Sequence, residues 1–386
     1  MITAIFLFSI FAVFSVFFLN PLFCVLAYLI KPPKKNKLQP FSSSVSLIIV
    51  VHNGEQLIAE KLDNSLSLDF GGDDYEIIVV SDGSYDATNE IVQGYGESIR
   101  FIKNDEHLGK HIGLNKAAEA ANGEILVFSD ADAILSKESI PNLLRHFFDP
   151  TTGGVSGRRI ISDRGGESLK DAQSAYIGFD TAIKKLESLR GSISSNDGKL
   201  YAIRKSLFRP VPSSVTDDLF VHLTVVSLGF RFTYEHHAVA LIKTPSRDPA
   251  HEIVRRKRIV TTSLRGISMY KELLNPSKFG MFSVSLFINK ILRRTLPVFL
   301  ITLFISSFLL VREHLYYSIF FVLQAAFYAS NIFYLLVLSK IKKIKLITRI
   351  FSVAFYFTLG NYGTLLGLTD FLRGKKVEKW VPVKNG

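Results

Sequence analysis

The chain has 386 residues, of which 48% are hydrophobic and 32 are phenylalanine, and its formal net charge is +12. This composition is unusually apolar and aromatic for a soluble protein, and its basic balance calls for an anionic partner such as a membrane surface or a phosphate-rich substrate. The single cysteine, Cys24, excludes an intrachain disulfide.

The first predicted element is a membrane-spanning helix within residues 1–30. This stretch has no charged side chain and is long enough to cross the roughly 30 Å hydrocarbon core of a bilayer. The motif KPPKKNK at residues 31–37 follows at once, and a basic cluster of this kind marks the cytoplasmic side. A signal peptide is the alternative, but the basic segment and the small-residue cleavage site that it needs are absent. We therefore expect an uncleaved anchor whose N-terminus lies outside the cell.

The middle of the chain predicts one α/β domain. Short β-branched runs alternate with helical patterns, as in a sheet whose parallel strands are joined by crossover helices. The strands are apolar almost throughout, which indicates that both faces of the sheet are covered. The predicted strands are Val45–Val51, Tyr75–Val80, Ile99–Ile102 and Glu124–Phe128, and the helices between them begin near Glu55, Asp86 and Gly109.

Polar motifs follow three of these strands: HNGE at residues 52–55, SDGS at 81–84 and SDAD at 129–132. Ligands of such sheets bind beyond the carboxyl ends of the strands, so we expect a site there. If the chain stays extended, Asp130 and Asp132 point the same way, and two close carboxylates favour a cation beside them. Mg²⁺ or Mn²⁺ suits such oxygen ligands and commonly shares them with phosphates. A turn or a helix cap, for which Asp is also favoured, is the alternative.

A second pair of carboxylates, Asp217 and Asp218, precedes a helical pattern that we expect to end at Gly229. A threonine followed by two acids is favourable at a helix N-terminus, because the acids interact with the free amides and the helix dipole. The pair therefore has a purely structural interpretation. A helix start would also hold a carboxylate in a fixed place, which proton transfer requires.

Apolar segments follow the α/β domain. Residues 295–311 and 315–339 are separated only by REH, which predicts a helical hairpin with a short outer loop. Residues 350–369 have basic flanks and contain LGNYGTLLG, so this segment spans the bilayer, re-enters it or lies in the interface. The predicted regions are an N-terminal anchor (1–30), a basic cytoplasmic linker (31–44), the α/β domain (45–280), an interfacial helix with C-terminal membrane helices (281–371) and a basic tail (372–386).

Seven motifs occur in a fixed order between residues 45 and 266. They are VSLIIVVHNGE, EIIVVSDGSYDATNEIV, HLGKHIGLNKAAEAANGEILVFSDADAIL, GVSGR, DGKLYAIRKSLF, TDDLFVHLTVVSLGFRFTYEHHAVA and RRKRIVTTSLRG. Their order and spacing resemble those of family 2 glycosyltransferases, in particular the membrane-embedded branch with cellulose synthase-like and hyaluronan synthase-like members. The resemblance implies a GT-A fold with a mostly parallel sheet and a cytoplasmic catalytic domain in a multi-pass plasma-membrane protein.

The resemblance also implies an inverting transfer of a sugar from a UDP-sugar to a growing polysaccharide or a lipid-linked glycan. The expected partners are this nucleotide-sugar donor, the glycan acceptor and membrane lipids, with no nucleic acid. Two alternatives remain. One is a polyprenyl-phosphate glycosyltransferase, whose acceptor site would favour a phosphate. The other is a membrane-bound sensor of nucleotide sugars without turnover, although a sensor needs no general base.

The resemblance also implies roles in donor binding for residues that occupy matching positions in the family motifs. Asp82 matches the aspartate that binds uracil, with an Asx-turn as the alternative. Lys110 resembles a residue that contacts the nucleotide, with an exposed lysine at a helix start as the alternative. Asp130 and Asp132 match the D-x-D pair, and Asp132 is the more direct ligand of the Mg²⁺ or Mn²⁺ that bridges the diphosphate. Glu55, in the motif HNGE after the first predicted strand, supplies the carboxylate that is expected to contact the donor there.

The remaining roles concern the acceptor and the diphosphate. Asp218 matches the general base, and Asp217 and Gly198 fall in the acceptor region. Arg255 and Arg258 lie where many processive members carry Gln-x-x-Arg-Trp and could bind diphosphate, or they could form a basic face against anionic lipid.

Two departures from the family pattern leave processivity open. The glutamine and the tryptophan of Gln-x-x-Arg-Trp are absent, and the only tryptophan, Trp380, lies in the tail. At the first strand end, His52 and Gly54 replace a tyrosine and an acid.

Overall fold

The structure is a computed structural model, which describes residues 1–30, 38–72, 74–161, 167–242, 249–336 and 345–377. Its centre is one eight-stranded sheet with the strand order β3-β2-β1-β4-β7-β6-β8-β5. The strands are β1 (Val45–Val51), β2 (Tyr75–Asp82), β3 (Arg100–Asn104), β4 (Ile125–Ser129), β5 (Ala133–Leu135), β6 (Thr152–Ile161), β7 (Leu200–Arg204) and β8 (Arg231–Ile242).

The α-helices precede, connect and follow these strands. They are α1 (Ile2–Phe14), α2 (Asn20–Ile30), α3 (Ile58–Leu66), α4 (Thr88–Gln93), α5 (Lys110–Ala120), α6 (Ser139–Leu144), α7 (Glu167–Ser188), α8 (Asp217–Ser227), α9 (Pro249–Met269), α10 (Pro276–Phe279), α11 (Met281–Leu286), α12 (Arg293–Leu309), α13 (Leu315–Leu336) and α14 (Lys345–Leu372). Part of the predicted linker (31–37) and of the predicted basic tail (378–386) lies outside the described residues.

The parallel part of the sheet is the one that the sequence predicts. β1 pairs in parallel with β2 and β4, and β2 pairs in parallel with β3. Every residue of β1 is buried, with Ile48 in one apolar cluster and Leu47 and Ile49 in the other. The sheet is therefore covered on both faces, and the carboxyl ends of β1, β2 and β4 meet at one edge.

The antiparallel strand β7 brings a distant segment to the same edge. β7 pairs with β4 in a register that sets Tyr201 opposite Phe128 and Leu200 opposite Ser129. The rings of Phe128 and Tyr201 stack with centroids 4.8 Å apart, which fixes this register in the core. The residue before β7, Lys199, consequently lies beside the end of β4.

The expectation of an extended chain at Asp130 to Asp132 is wrong. β4 ends at Ser129, and a turn follows in which the amide of Ala133 donates to the carbonyl of Asp130 at 3.2 Å. The chain turns here because β5 must leave the parallel strands and pair antiparallel with β8. The two aspartates are brought together by this turn and not by strand alternation.

Among the residues that the structure describes, three helical segments are long and apolar enough to cross a membrane: Ile2–Leu19, Met281–Leu309 and Leu315–Leu336. α1 packs on α12 and α13, with the ring of Phe6 4.8 Å from that of Tyr317 and with a 2.8 Å hydrogen bond between the hydroxyls of Ser9 and Thr302. Large apolar side chains on the outside of these helices are exposed. The chain is a membrane protein, and α12 and α13 form the predicted hairpin.

The glycine-rich segment near the C-terminus forms one helix, α14, which packs along α9. A Cβ on Gly363 would lie 2.9 Å from the Cβ of Arg256, and a Cβ on Gly367 would lie 2.6 Å from the carbonyl oxygen of Lys257. Lys257 also forms a 2.9 Å ion pair with Asp370. The glycines therefore allow α14 to approach α9 closely, and α14 is attached to the α/β domain.

Candidate functional site

Asp82 lies buried at the end of β2 and organises the loop before α5. Its carboxylate accepts hydrogen bonds from Asn104 Nδ2 (3.0 Å) and from the amides of Leu108 (3.0 Å) and Gly109 (2.8 Å), and His107 Nδ1 lies 2.9 Å away. Burial acts to raise the pKa of Asp82, but these partners outweigh it and hold the pKa below its ordinary value. A carboxylate has about four acceptor positions, so a nucleobase would have to displace one of these donors.

Two histidine rings lie beside Asp82. His52, which follows β1, places Nδ1 2.6 Å from the carbonyl oxygen of Asp82, and its ring stacks on His107 with centroids 3.9 Å apart. Tyr85 is 72% exposed nearby, with its ring centroid 6.2 Å from that of His52. The two histidine rings are half-buried and the ring of Tyr85 is exposed, and flat rings of this kind suit stacking against a base. His107 was not among the residues predicted from the sequence.

Glu55 has a different environment from the one expected of a donor-binding carboxylate. It is exposed, and its Oε2 accepts from the amide of Ala87 at 3.1 Å while its own amide donates to Asp86 at 3.2 Å. In this arrangement Glu55 fastens the loop after β1 to the loop after β2. A role in donor binding stays a prediction.

The D-x-D pair is part of an alternating network of charges. Lys110 Nζ lies 2.8 Å from Asp130 and 2.7 Å from Asp217, and Lys199 Nζ lies 3.0 Å from Asp130 and 2.6 Å from Asp132. Burial acts to raise the pKa of Asp130, but the two ammonium groups hold it well below its ordinary range. The structure thus brings together Lys110, Asp130, Asp132 and Asp217 from the predicted set and adds Lys199.

The pair fits a divalent ion. One atom, Lys199 Nζ, lies within 3.0 Å of carboxylate oxygens from both Asp130 and Asp132, so a single cation in that position reaches both side chains. Mg²⁺ and Mn²⁺ prefer such oxygen ligands and leave other coordination positions to phosphate and water. The donor set is therefore of the right kind for the metal that the sequence predicts.

Asp218 differs from its neighbouring aspartates in its surroundings. Among the described residues no lysine, arginine or histidine forms an ion pair with it, whereas Asp217 has Lys110. Its Oδ1 accepts from the amide of Leu219 at 2.8 Å, and a Cβ at Gly198 would lie 3.4 Å from its Oδ2. Burial, followed by the negative charge of Asp217, raises the pKa of Asp218 to about 6.

The structural alternative for the acidic pair includes a threonine cap, but the side chain of Thr216 does not cap α8. Thr216 precedes the helix but makes no side-chain cap, and its hydroxyl shares a 2.8 Å hydrogen bond with that of Thr262 on α9. Asp217 and Asp218 do lie in the first turn of α8, so a favourable interaction with the helix dipole remains a structural role for the pair. Gly198 lies beside the Asp218 carboxylate, where a Cβ would be in ordinary van der Waals contact with it.

Comparison with known proteins identifies the domain. Residues 46–211 match the model of glycosyl transferase family 2. The chain contains a family 2 glycosyltransferase domain. This confirms the resemblance seen in the sequence, and the matched residues include Asp82, Lys110, Asp130 and Asp132.

Curated relatives of the chain include two bacterial proteins named poly-beta-1,6-N-acetyl-D-glucosamine synthase. The protein from Staphylococcus aureus (strain COL) is 26% identical over 208 residues, which cover 52% of this chain and 50% of that protein. The protein from Staphylococcus epidermidis (strain RP62A) is 23% identical over 245 residues, which cover 58% of this chain and 59% of that protein. The chain thus spans between half and three fifths of the length of these relatives.

A solved structure shares the fold over nearly the whole chain. It is the mannosyltransferase PcManGT from Pyrobaculum calidifontis, in complex with GDP-Man and Mn²⁺. The TM-score is 0.72 at 22% identity, with 97% of this chain and 100% of that chain covered. The likeness shows a GT-A fold, as the sequence predicts.

Beneath the D-x-D turn, the glycosyltransferase domain contains a buried lysine that sequence reasoning missed. Lys61 on α3 donates to Ser129 Oγ and to the carbonyl oxygen of Ala133, both at 2.7 Å. These two residues flank the aspartates, so Lys61 ties the start of the turn to its end. Burial lowers the pKa of Lys61 to about 7, although the charges of Asp130 and Asp132 oppose this shift.

The two predicted arginines of α9 have different surroundings. Arg255 forms a 2.9 Å ion pair with Glu252 at the start of the helix. Arg258 lies further along, where burial lowers its pKa and the charges of Asp217, Asp130 and Asp218 act in the opposite sense. Arg258 is therefore in electrostatic reach of the site. A contact of either arginine with the donor diphosphate stays a prediction.

Proposed function

We propose that this protein is an inverting membrane glycosyltransferase that transfers a sugar from a UDP-sugar to a growing polysaccharide or a lipid-linked glycan. The observation that carries the proposal is the contrast among four neighbouring carboxylates. Lysines form ion pairs with Asp130, Asp132 and Asp217, whereas Asp218 forms no ion pair with a described residue and its pKa is raised. One carboxylate in the cluster is thus available to accept a proton.

The proposed reaction is a single displacement. The acceptor hydroxyl attacks the anomeric carbon of an α-linked donor, its proton goes to Asp218, and UDP leaves from the opposite face, so the product is β-linked. A divalent ion held by Asp130 and Asp132 would neutralise the charge that develops on the departing diphosphate. Lys110 and Arg258 add positive charge around the phosphates, and the rings of His52 and His107 offer a surface for the base.

UDP-N-acetylglucosamine is the donor that we propose first. The curated relatives are named as synthases of an N-acetylglucosamine polymer, and their similarity covers 52% and 58% of this chain. The active metal is proposed to be Mg²⁺ or Mn²⁺.

A polyprenyl-phosphate acceptor is the second candidate, and one observation favours it. Lys290, the tenth of the 29 residues of the second candidate span, donates to Ser195 Oγ at 2.6 Å, and its positive charge acts to lower the pKa of Asp218. A cation between the membrane helices and the proposed base suits an anionic lipid headgroup.

The two acceptors are distinguished by product analysis. Purified protein in lipid nanodiscs is given labelled UDP-N-acetylglucosamine with either an oligosaccharide or a polyprenyl phosphate. A labelled product that is stable in mild acid indicates a glycan acceptor, because a glycosidic bond resists conditions that cleave a sugar phosphate. Label that partitions into organic solvent and is released by mild acid supports the polyprenyl phosphate.

Sugar transfer is expected to fall as the pH is lowered through about 6, because the proposed base must be ionised and the pKa of Asp218 is raised to about 6. The measurement is kcat/KM at a series of pH values, with UDP binding followed over the same range as the control. The account predicts an acid limb of about tenfold per pH unit while UDP binding changes little. A flat profile from roughly pH 5 to pH 8 would contradict it.

The proposed topology has the catalytic domain in the cytoplasm and the loop between α12 and α13 outside. Basic clusters at residues 31–37 and 340–345 flank the apolar segments on the proposed inner side. Single cysteines at the exposed positions Glu97 and Glu313, in a protein whose Cys24 is replaced by serine, report the two sides. In intact cells an impermeant maleimide should label only the cysteine at 313, and equal labelling at both positions would refute the topology.

A further inference from the structure

Lys199 occupies an unusual place between the two aspartates of the D-x-D pair. Its Nζ lies 2.6 and 2.8 Å from the two carboxylate oxygens of Asp132 and 3.0 Å from Asp130. Its side chain is 21% exposed, so the ammonium borders the open site and is not enclosed by the core. None of the predicted roles required a lysine here.

The three lysines around the pair are held in different ways. Lys61 is fixed below the turn by Ser129 and Ala133, and Lys110 is shared between Asp130 and Asp217. In the part of the chain that the structure describes, the ammonium of Lys199 contacts only the two D-x-D carboxylates. Lys199 is therefore the lysine whose position depends on those carboxylates alone.

A divalent ion and the Lys199 ammonium require the same oxygens. Both carboxylates cannot serve a metal at about 2.1 Å while also enclosing an ammonium, so metal binding must move Lys199 aside. The lysine stem is flexible and its head is a compact charge, so the displacement is sterically simple. A released ammonium beside the metal would face the phosphates that the metal attracts.

We propose that Lys199 is an internal counter-ion that holds the metal position in the donor-free enzyme and passes to the donor diphosphate when the divalent ion binds. This proposal rests on the proposed function, because it assumes that Asp130 and Asp132 hold the metal. Its consequence is that the metal and the nucleotide bind cooperatively. The metal alone must displace a cation without compensation, whereas the metal with UDP gives that cation a new anionic partner.

The test is a calorimetric titration of Mn²⁺ into the full-length protein, with and without UDP. Lys199→Met is expected to bind Mn²⁺ alone at least about tenfold more tightly than wild type, because the competing charge is gone. UDP should then raise the affinity for Mn²⁺ by a smaller factor than in wild type. Lys199→Arg keeps the charge and should behave more like wild type than Lys199→Met. Lys103→Met, which removes an exposed lysine of β3, should bind Mn²⁺ as wild type does.

Equal Mn²⁺ affinity of wild type and Lys199→Met, in the absence of UDP, would overturn the proposal. If Lys199→Met unfolds at a lower temperature than wild type, Lys199→Gln provides the same loss of charge with a polar side chain. Asp132→Ala separates this failure from a failure of the proposed function. Loss of Mn²⁺ binding in Asp132→Ala with no effect of Lys199→Met rejects only the counter-ion, whereas full Mn²⁺ binding in Asp132→Ala rejects the metal site itself.

Discussion

Replacing Asp132 with alanine is expected to abolish both sugar transfer and the binding of Mn²⁺. Both of its carboxylate oxygens converge on the position that the metal is proposed to take, where they now contact Lys199 at 2.6 and 2.8 Å. Neutralising a departing diphosphate is worth several kcal/mol, and roughly 1.4 kcal/mol corresponds to a tenfold change in rate. Transfer should therefore fall by at least about 10³-fold.

The measurement is initial transfer from UDP-N-acetylglucosamine, with Mn²⁺ binding followed by calorimetry. Asp74→Ala is the matched control, because Asp74 is exposed and precedes β2 at the opposite edge of the sheet. It should transfer sugar at the rate of wild type. Full activity of Asp132→Ala, or of wild type in excess chelator, would remove the metal from the mechanism.

Asp218→Asn is expected to lose sugar transfer while it retains the fold, UDP binding and Mn²⁺ binding. Asparagine has nearly the same shape, and its side-chain oxygen can still accept from the amide of Leu219. It cannot accept the proton of the acceptor hydroxyl, and a positioned base contributes roughly 10²–10⁴-fold in rate. The donor and the metal are expected to bind elsewhere, at Asp82, Lys110 and Asp132.

Asp217→Asn is the informative comparison. Asp217 is the adjacent acid, but its carboxylate contacts Lys110 at 2.7 Å, so its loss should weaken donor binding more than it slows the chemical step. The two variants should therefore differ in their kinetic constants: Asp217→Asn should raise KM, and Asp218→Asn should lower kcat. Transfer by Asp218→Asn within threefold of wild type would remove Asp218 from the mechanism. Loss of UDP binding together with activity would favour a structural role.

The sequence predicts the parallel half of the sheet well because the signal there is local. Continuous apolar runs identify β1, β2, β3 and β4 to within two residues at each end. Polar residues immediately after β1, β2 and β4 locate the edge at which the site forms. The α12–α13 hairpin was predicted for the same reason, since an uncharged run of sufficient length needs no partner to be recognised.

The lysines of the site were missed because their partners are distant in sequence. Lys199 meets Asp132 across 67 residues, through the register of β7 against β4. Lys61 lies in a helix whose charged pattern resembles an exposed surface, and only the packing of α3 beneath the D-x-D turn shows that it is buried. These lysine contacts depend on tertiary packing, which cannot be predicted from the hydrophobic periodicity of the sequence.

The spacing of the glycines in α14 indicates helix packing, whereas the sequence analysis related these glycines to the placement of the segment in the membrane. Gly360, Gly363 and Gly367 fall at spacings of three and four, which place them on one helix face. The run LGNYGTLLG left three alternatives open, namely a segment that spans the bilayer, re-enters it or lies in the interface, whereas small residues on one face also permit close packing of helices. The structure has this contact, with Gly363 and Gly367 against α9.

The most direct test of the central claim is transfer itself. Purified full-length protein in lipid nanodiscs, with Mn²⁺, is given a panel of labelled UDP-sugars, and NMR follows the anomeric configuration of the product together with the release of UDP. The account predicts that at least one donor yields a β-linked product with one UDP released for each sugar transferred. UDP binding without transfer from any donor, or an α-linked product, would contradict an inverting glycosyltransferase.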